Sequence, residues 1–405
     1  MGRRPAGAVR RGAVAAVAAV ALGAAGCTAG PRPDSPSPSA PDGKASGAAA
    51  SPLSWEFAHL ADFHGTLTGF AALAEDDVWA VGSENVLPSD PHLLHFDGTG
   101  WKDEALPDAL GEAKFRLRIE VIGERELWLG PADQADEAAS WARWDGTRWS
   151  AVPNPPPAPV GDLEAAGPDD VWALSEGQTA LHWNGARWNS VRLPYPAADL
   201  AVAGPDDAWA VGHRGTGPGT EPEGGLPYTQ PAAMHWDGAT WRPVATPLYR
   251  FDDPVPPEPG ASLDQVFVLD GGEILAHGRH SYNHGEVENE PPDEAVRLRW
   301  DGEKWVERQT PPDRCDGIPA AQDGEGLFLL NGSRYLTGDG RCLKLRPPRL
   351  PLSTNAREDS RQSLWLEEIR RVPGTDEWLG AGHVQVNQSG DPFGAPVVVR
   401  LKHRG

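Results

Sequence analysis

Three histidines lie close together in the sequence, and imidazole is a common ligand of metal ions. The segment that holds them has six residues able to bind a metal or a partner: His277, His280, Tyr282, His284, Glu286 and Glu288. Imidazole and carboxylate groups together are typical ligands of zinc. However, His277 falls within a predicted strand, whereas the others lie in a polar segment rich in Gly, Asn and Pro. This irregular spacing favours a solvated loop without a metal, and we expect no cofactor.

The motifs of common hydrolases and nucleotide-binding enzymes are missing from the sequence. It contains no Gly-x-Ser-x-Gly elbow, no phosphate-binding loop and no His-Glu-x-x-His pair. Its 36 basic and 58 acidic side chains give a net charge of −22. Nucleic-acid binding relies on Lys and Arg contacts with phosphates, so this charge argues against a nucleic-acid partner. No catalytic residue is assigned, and the sequence leans away from an enzyme.

Residues 1–26 have the pattern of an export signal. Four arginines precede an apolar stretch from Gly12 to Leu22, and small residues stand before Cys27. With the cysteine in this place, the segment resembles a bacterial lipoprotein signal. The resemblance implies cleavage before Cys27, with lipid (palmitate among its acyl chains) on the cysteine, and a mature net charge of −26 once the four arginines are lost. An ordinary signal peptide is the alternative, and the export route stays open.

Residues 27–52 predict a flexible linker, because they are almost wholly Pro, Ser, Ala, Gly and Asp. Such a composition buries too little apolar area to offset the chain entropy lost on folding. Residues 53–405 then form the globular body, in which no apolar run reaches the ~18 residues of a membrane span. This layout predicts a protein held by its N-terminal lipid at the extracytoplasmic face of the cell membrane.

The body is a repeat. Five copies combine an acidic or Gly turn and a run like Val-Trp-Ala-Val-Gly with a later Trp-Asp-Gly-x-x-Trp element; they begin at Asp76, Glu126, Asp169, Asp206 and Gly272. Two weaker copies begin at Gly326 and Asp376. Each copy predicts four short antiparallel strands, with Asp-Gly as a tight hairpin turn because Gly tolerates the positive φ that the turn requires. Four-stranded units of about 40–50 residues are propeller blades.

The two ends of the body decide the number of blades. The seventh copy ends at Val397–Leu401 without its second Trp, while Pro52–Phe57 looks like a lone fourth strand that carries Trp55. Pairing these two segments would remove an open sheet edge. We therefore predict an all-β, seven-bladed propeller of four-stranded antiparallel blades, closed by an N-terminal strand. Six blades are the alternative, because the sixth copy is short and lacks both Trp residues. The repeated Trp residues are expected to pack between blades.

The repeat resembles that of secreted bacterial β-propellers related to the kelch and galactose-oxidase central-domain group. The elements that carry the resemblance are Val78–Gly82 and His235–Trp241, with their counterparts in the other copies. That group includes binding modules, scaffolds and a few enzymes, so the resemblance implies the fold and no single activity. The five Tyr and two remaining Cys do not provide a galactose-oxidase type of copper site. The Asp-Gly-x-x-Trp spacing also differs from that of the sialidase Asp-box.

Two cysteines remain after Cys27 is assigned to lipid. In an exported chain, Cys315 and Cys342 predict a disulfide. The predicted strands put Cys315 before the first strand of blade six and Cys342 at the start of its fourth, about 14 Å apart at three strand spacings. A disulfide needs Cα atoms within about 7 Å. The disulfide therefore requires an irregular sixth blade, and free cysteines are the alternative.

The loops between second and third strands vary in length more than the turns do. The two longest, His213–Pro231 and Gly278–Glu294, belong to neighbouring blades four and five. Long variable loops on a rigid scaffold are frequent recognition sites, so we expect one binding lobe here. Its candidate contacts are Arg214, Tyr228, His280, Tyr282, His284, Glu286 and Glu288. Loops without a binding role are the alternative.

Together these features predict a monomeric, membrane-anchored lipoprotein whose propeller binds a protein or glycan partner without catalysis. The alternative is a hydrolase or lyase that acts on polysaccharide. Carboxylates and arginines that converge on the central channel would favour the enzyme. Charges scattered over the loops would favour binding.

The lipid anchor is tested by Cys27→Ser. Without the thiol no lipid can be attached, so the variant is expected to move from the membrane to the soluble fraction or the medium. Fractionation followed by immunoblotting measures this, with Thr28→Ser as the control that stays with the membrane. A Cys27→Ser protein that still partitions with membranes contradicts the lipoprotein interpretation.

Overall fold

The computed structural model describes residues 52–403, with gaps at residues 85–89, 114, 133–139, 158, 176, 216–227, 253–254, 270, 284–292, 309–314, 316, 318 and 330–331. The predicted signal, Cys27 and nearly all of the linker therefore lie outside the described residues. So do His284, Glu286 and Glu288. Among the described residues no helix has the length and hydropathy of a membrane span.

The described chain forms seven four-stranded antiparallel sheets, which are the blades of a propeller. Six blades are continuous in sequence, and their strands run in order from the central axis outwards. Blade one contains β2 (Gly65–Ala74), β3 (Asp77–Glu84), β4 (Pro91–Phe96) and β5 (Trp101–Glu104). Blade two contains β6 (Leu117–Gly123), β7 (Glu126–Pro131), β8 (Ala142–Trp144) and β9 (Trp149–Ala151). Blade three contains β10 (Leu163–Gly167), β11 (Asp170–Leu174), β12 (Thr179–Trp183) and β13 (Trp188–Arg192).

The second half of the propeller follows the same plan until its last blade. Blade four contains β14 (Ala197–Gly204), β15 (Asp207–Arg214), β16 (Gln230–Trp236) and β17 (Trp241–Val244). Blade five contains β18 (Gly260–Val268), β19 (Ile274–Ser281), β20 (Glu294–Trp300) and β21 (Trp305–Glu307). Blade six contains β22 (Pro319–Gln322), β23 (Gly326–Leu329), β24 (Arg334–Thr337) and β25 (Cys342–Lys344). Blade seven contains β26 (Arg361–Arg371), β27 (Trp378–Asn387), β28 (Phe393–His403) and the N-terminal β1 (Leu53–Leu60). Two short 3-10 turns, Asp108–Leu110 and Leu352–Thr354, lie in connections between blades.

The N-terminal strand closes the ring, as predicted. β1 pairs antiparallel with β28, from Leu53 opposite His403 to Leu60 opposite Val397. Trp55 is 2% exposed, and its indole Nε1 donates to the Gly332 carbonyl oxygen of blade six at 2.7 Å. The seven-blade prediction is therefore confirmed, and the six-blade alternative is wrong.

The repeated tryptophans pack between blades, as the sequence indicates. Trp79 of blade one lies between Trp144 and Trp149 of blade two, with ring centroids 4.9 and 5.3 Å away. The same arrangement recurs between blades three and four and between blades four and five, where the inserted residues are Trp172 and Trp209. Each inserted ring is at most 2% exposed, so it adds a large apolar contact to its interface.

The acidic turn before Trp79 and before Trp209 accepts a hydrogen bond from the inserted indole. Asp77 Oδ1 accepts a hydrogen bond from Trp79 Nε1 at 2.9 Å and lies 2.9 Å from His95 Nε2. His95 in turn stacks on Trp79 with ring centroids 3.8 Å apart. The hairpin that comes next needs glycine, because Gly98 has φ of +80° and a Cβ there would lie 2.8 Å from that of Asp76. These motif residues therefore serve folding.

Blade six contains the disulfide that joins Cys315 to Cys342, whose Cα atoms are 5.5 Å apart. The expected separation of about 14 Å was wrong, because Cys315 is not part of the sheet. It lies in the connection from blade five, where its carbonyl oxygen accepts a hydrogen bond from Arg297 Nη2 at 3.2 Å. Cys315 itself lies close to the fourth strand, so the bond does not have to cross three strand spacings.

The closing strand is tested by Trp55→Ala. Removal of this buried indole deletes its packing against Phe328 and its hydrogen bond to blade six. We expect the free energy of unfolding to fall by about 3–5 kcal/mol, as for other buried Trp→Ala changes. Trp365, which is 45% exposed, gives the matched control Trp365→Ala. Equal denaturation midpoints for the two variants would exclude β1 from the ring.

Candidate functional site

The central channel brings together charged side chains from the innermost strands. It encloses 570 Å³. The charged residues that line it are Arg118, Glu120, Asp162, Glu164, Asp199, Glu367, Glu368, Arg370 and Arg371. Six of these residues form three pairs whose members are two positions apart in the sequence, the spacing of neighbours on one face of a strand. The pairs are Arg118 with Glu120, Asp162 with Glu164, and Glu368 with Arg370. The residue between them, Ile119, Leu163 or Ile369, is at most 3% exposed. A charged–apolar–charged pattern at the first strands of blades two, three and seven was thus the signal that sequence reasoning missed.

Three of these carboxylates join their own blade to the next one. Glu368 Oε2 of blade seven accepts the backbone N–H of Phe70 in blade one at 2.7 Å. In the same way Asp162 accepts the N–H of Leu200 in blade four at 3.1 Å. Asp199 of blade four accepts the N–H of Val266 in blade five at 2.7 Å. We call these bonds the channel clasps.

Two further side chains also bond to the next blade, but here the side chain donates and a backbone carbonyl oxygen accepts. Thr68 Oγ1 of blade one donates to the Leu117 carbonyl of blade two at 2.9 Å. Arg118 Nη1 of blade two donates to the Gly161 carbonyl at 2.9 Å, just before blade three. Channel clasps therefore run without interruption from blade seven through blade one to blade five. In blade five the series stops, because Gln265 Oε1 has no hydrogen-bond partner among the described residues.

Ion pairs add to the clasps on one side of the channel. Arg370 contacts Glu368 on its own strand, and its Nη2 lies 3.3 Å from Glu120 Oε2 of blade two. Arg118 Nη2 lies 3.1 Å from the other oxygen of Glu120. Glu120 is therefore held between two guanidinium groups, and its charge is neutralised. The Glu368 carboxylate raises the pKa of Arg370 above its ordinary value.

The other side of the channel is rich in carboxyl groups whose pKa values are raised. Burial, together with the neighbouring Asp162 charge, raises the pKa of Glu164 to about 8. Burial is also the main cause that raises the pKa of Asp162 and of Asp199, with Arg118 opposing it at Asp162. A carboxylic acid that keeps its proton near neutral pH can donate a hydrogen bond or act as a general acid. The channel thus contains the carboxyl groups and arginines expected if the protein were an enzyme. Three of its carboxyl groups, those of Asp162, Asp199 and Glu368, nevertheless accept hydrogen bonds from the backbone of another blade.

The loop residues expected to contact a partner are buried where the structure describes them. Arg214, Tyr228, His280 and Tyr282 are 8%, 4%, 1% and 7% exposed. The ring of His280 stacks on Phe251 with centroids 3.8 Å apart, and Tyr282 meets the edge of the same ring.

Hydrogen bonds hold several polar atoms of this group, although His280 Nε2 has no partner among the described residues. His280 Nδ1 lies 3.0 Å from Glu294 Oε2, and Tyr228 Oη accepts the Phe251 N–H at 3.1 Å. Arg214 contacts Thr246 and the Pro231 carbonyl. The expectation of an exposed contact lobe must therefore be corrected for these four side chains, because they pack beneath the loops. A binding role for the rest of the two loops stays a prediction.

The histidines of the first motif are separated by the fold. His277 faces the space between blades five and six, whereas His280 belongs to the cluster around Phe251. Neighbouring residues of a strand point to opposite faces, and three positions along β19 put the two rings on opposite sides. In the described part of the chain no group of three or more His, Cys, Asp or Glu is arranged to hold a metal ion.

A cleft of 680 Å³ opens beside the channel on the face that carries the turns between first and second strands. Its apolar lining is partly exposed and comes from three blades: Val268, Leu269, Leu343, Trp378 and Leu401. Its acidic lining comprises Asp323, Glu325 and Asp376, and Arg371 Nη2 lies 2.6 Å from Asp376 Oδ1. Sequence reasoning missed this cleft, since its residues come from strands and turns of three blades that are far apart in the sequence.

No protein-family model matches the sequence, and no curated protein is significantly similar to it. Among solved structures, YCF48 bound to D1 peptide is 14% identical, with a TM-score of 0.46 over 87% of this chain and 96% of that one. The WD40 propeller domain of Doa1 is 10% identical, with a TM-score of 0.46 over 86% and 96%. The propeller domain of the Trilobed protease from Pyrococcus furiosus is 9% identical, with a TM-score of 0.45 over 82% and 98%. These likenesses do not extend to function.

The channel clasps are tested at Glu368. Glu368→Ala removes the acceptor for the Phe70 N–H and one partner of Arg370, so we expect the free energy of unfolding to fall by about 1–3 kcal/mol. Glu367 is exposed and lies one residue earlier on the same strand. The control Glu367→Ala should therefore change the free energy of unfolding by no more than about 0.5 kcal/mol. Urea denaturation of both variants measures the difference. If they lose the same stability, the clasp does not hold blades seven and one together.

Proposed function

We propose that this protein is an extracytoplasmic lipoprotein whose monomeric propeller binds a segment of a partner protein without catalysis. The observation that carries the proposal is the cleft beside the channel. Its five partly exposed apolar side chains lie together in a concave surface, where an inserted apolar side chain would lose its contact with water. The channel itself is less suited to binding, because its carboxylates bond to the blades that form it.

The charges of the cleft indicate the chemistry of the partner. Glu325 and Asp376 are exposed at its rim, and Asp323 also lines it. The single arginine in the lining, Arg371, is paired with Asp376. Together with the net charge of −22 of the whole chain, this favours a segment that combines apolar and basic side chains. A protein segment offers both within a few residues, which a neutral glycan does not.

The position of the N-terminal strand indicates where such a partner would lie. Leu53 pairs with His403, so both ends of the body emerge on the face that holds the cleft. The loops between second and third strands lie on the opposite face. If Cys27 carries lipid, the body is held near the membrane, and the partner would be a membrane or envelope protein near its surface.

A polysaccharide hydrolase is the second candidate, and the proton-retaining carboxyl groups of the channel favour it. Glu164, whose pKa is raised to about 8, would be its general acid. In that case purified protein would release reducing ends from envelope polysaccharide, and Glu164→Gln would abolish the release. Binding at the cleft does not depend on Glu164, so the two functions are separable.

The cleft is tested by photo-crosslinking in the cell envelope and by a matched pair of charge variants. A benzophenone amino acid in place of His403, at the rim of the cleft, is expected to capture a protein whose crosslinked segment is basic and apolar. Leu343→Arg places a cation in the apolar lining and should lower the yield at least tenfold. Leu248→Arg, at a residue that is 43% exposed outside the cleft, should leave the yield unchanged.

Two results would contradict the proposal. One is an equal yield from Leu343→Arg and Leu248→Arg. The other is efficient capture only from probes on the opposite face, which would assign binding to the long loops of blades four and five.

A further inference from the structure

The first strand of blade seven extends further than that of blade one on the face opposite the cleft. Both strands contain a bulge, which lies at Thr68 in β2 and at Glu367 in β26. β2 begins at Gly65, whereas β26 begins at Arg361. β26 is therefore three residues longer on this side of the bulge, about 10 Å at the rise of a strand. Its other end, at Arg371, lines the cleft, so the extended part and the cleft lie on opposite faces of the ring.

The side chains of this extended part alternate between a buried and an exposed face. Leu364 and Leu366 belong to the hydrophobic core that blade seven shares with blade six. The alternate side chains of β26 point the other way, and all four are exposed: Arg361, Ser363, Trp365 and Glu367. Asn387 and Gln385 of β27 pair with Arg361 and Ser363, so they share this face. We call these six residues the blade-seven patch.

The indole of Trp365 is the one exposed tryptophan side chain among the described residues, with 45% of its surface accessible. It lies outside the repeated motif, so packing between blades does not account for it. The strand beneath it is nevertheless fixed. His383 pairs with Trp365 across the sheet, and its Nδ1 lies 3.0 Å from Thr66 Oγ1 of blade one. The patch therefore presents an aromatic ring to solvent on a rigid support.

The polar side chains around the indole have unused hydrogen-bonding capacity. Those of Arg361, Ser363, Glu367 and Asn387 form no hydrogen bond or ion pair with another described residue. Gln385 uses its amide nitrogen to donate to the Phe393 carbonyl at 3.3 Å, and its amide oxygen stays available. Together these groups offer guanidinium and amide donors, a hydroxyl, and carboxylate and amide acceptors.

This combination fits a saccharide better than a protein. A flat indole can stack on the C–H face of a pyranose ring, while the surrounding groups bond to its hydroxyls. A protein interface has an apolar core of several side chains, whereas Trp365 is the single apolar member of the patch. The opposite charges of Arg361 and Glu367 favour a ligand without net charge. The strand spans about 20 Å between these two residues, enough for several sugar units in an extended chain.

We propose that the blade-seven patch binds an extended, neutral oligosaccharide, with one pyranose ring stacked on Trp365 and its hydroxyls bonded to the neighbouring polar side chains. This site goes beyond the protein partner proposed above and does not depend on it. Because the patch and the cleft lie on opposite faces, a saccharide at one leaves the other open. One molecule can then hold a glycan and a protein segment at the same time.

¹⁹F NMR of the purified protein labelled with 5-fluorotryptophan tests the site, with the β-1,4-linked probes cellohexaose, chitohexaose and mannohexaose. The Trp365 signal is the one absent from Trp365→Phe, and at least one probe is expected to shift it with a saturable dose dependence. In calorimetric titration with that probe, Trp365→Ala should weaken binding about tenfold. Glu367→Ala should weaken it several-fold. Leu352→Ala, at an apolar residue that is 65% exposed outside the patch, should bind as wild type does.

The two patch variants remove exposed side chains, so their melting temperatures should equal that of the wild type. Leu343→Arg in the cleft should leave saccharide affinity unchanged, which separates this site from the protein-binding one. The proposal is overturned if none of the three probes moves the Trp365 signal, or if Trp365→Ala binds as tightly as the wild type. A benzophenone amino acid at Ser363 that captures a protein in the cell envelope would assign the patch to a protein partner and overturn it as well.

Discussion

The insertion of one tryptophan between two tryptophans of the next blade is the interaction on which this propeller depends. A blade alone has two faces to cover, and aromatic rings give the largest apolar contact available from one side chain. In the Asp77–Trp79–His95 arrangement the acidic turn binds the indole N–H and the imidazole stacks on its face. The histidine stacking recurs at Trp172 and Trp209. The Asp-Gly hairpin then brings the next pair of tryptophans together. Most of the recurring motif therefore has a structural role.

Around the axis, polar bonds take the place of these apolar contacts. The innermost strands direct charged side chains into the channel, and their backbone groups beside it need partners. Glu368, Asp162 and Asp199 supply them across three blade boundaries. Burial is the main cause that raises the pKa values of these three carboxyl groups. The same groups therefore have the composition of an acid–base site and the contacts of a structural one.

Blade six shows the structural effect of losing these tryptophans. Leu336 and Cys342 replace the enclosing pair, and the disulfide to Cys315 provides a covalent link at the same interface. The cleft lies beside the turn between the first two strands of this blade. The irregular repeat thus borders the concave surface proposed to bind a partner.

The sequence by itself determined the repeat, the four strands of each blade, the closure by Trp55 and the packing role of the tryptophans, because each depends on local patterns or on a count of strands. It did not determine the channel, the cleft or the burial of Arg214, Tyr228, His280 and Tyr282. Those depend on which residues from distant blades meet, and on the path of a connection such as that of Cys315, which no local pattern records. Charges two residues apart in a strand show that one face is polar; only the closed ring directs the charged faces of blades two, three and seven towards one axis.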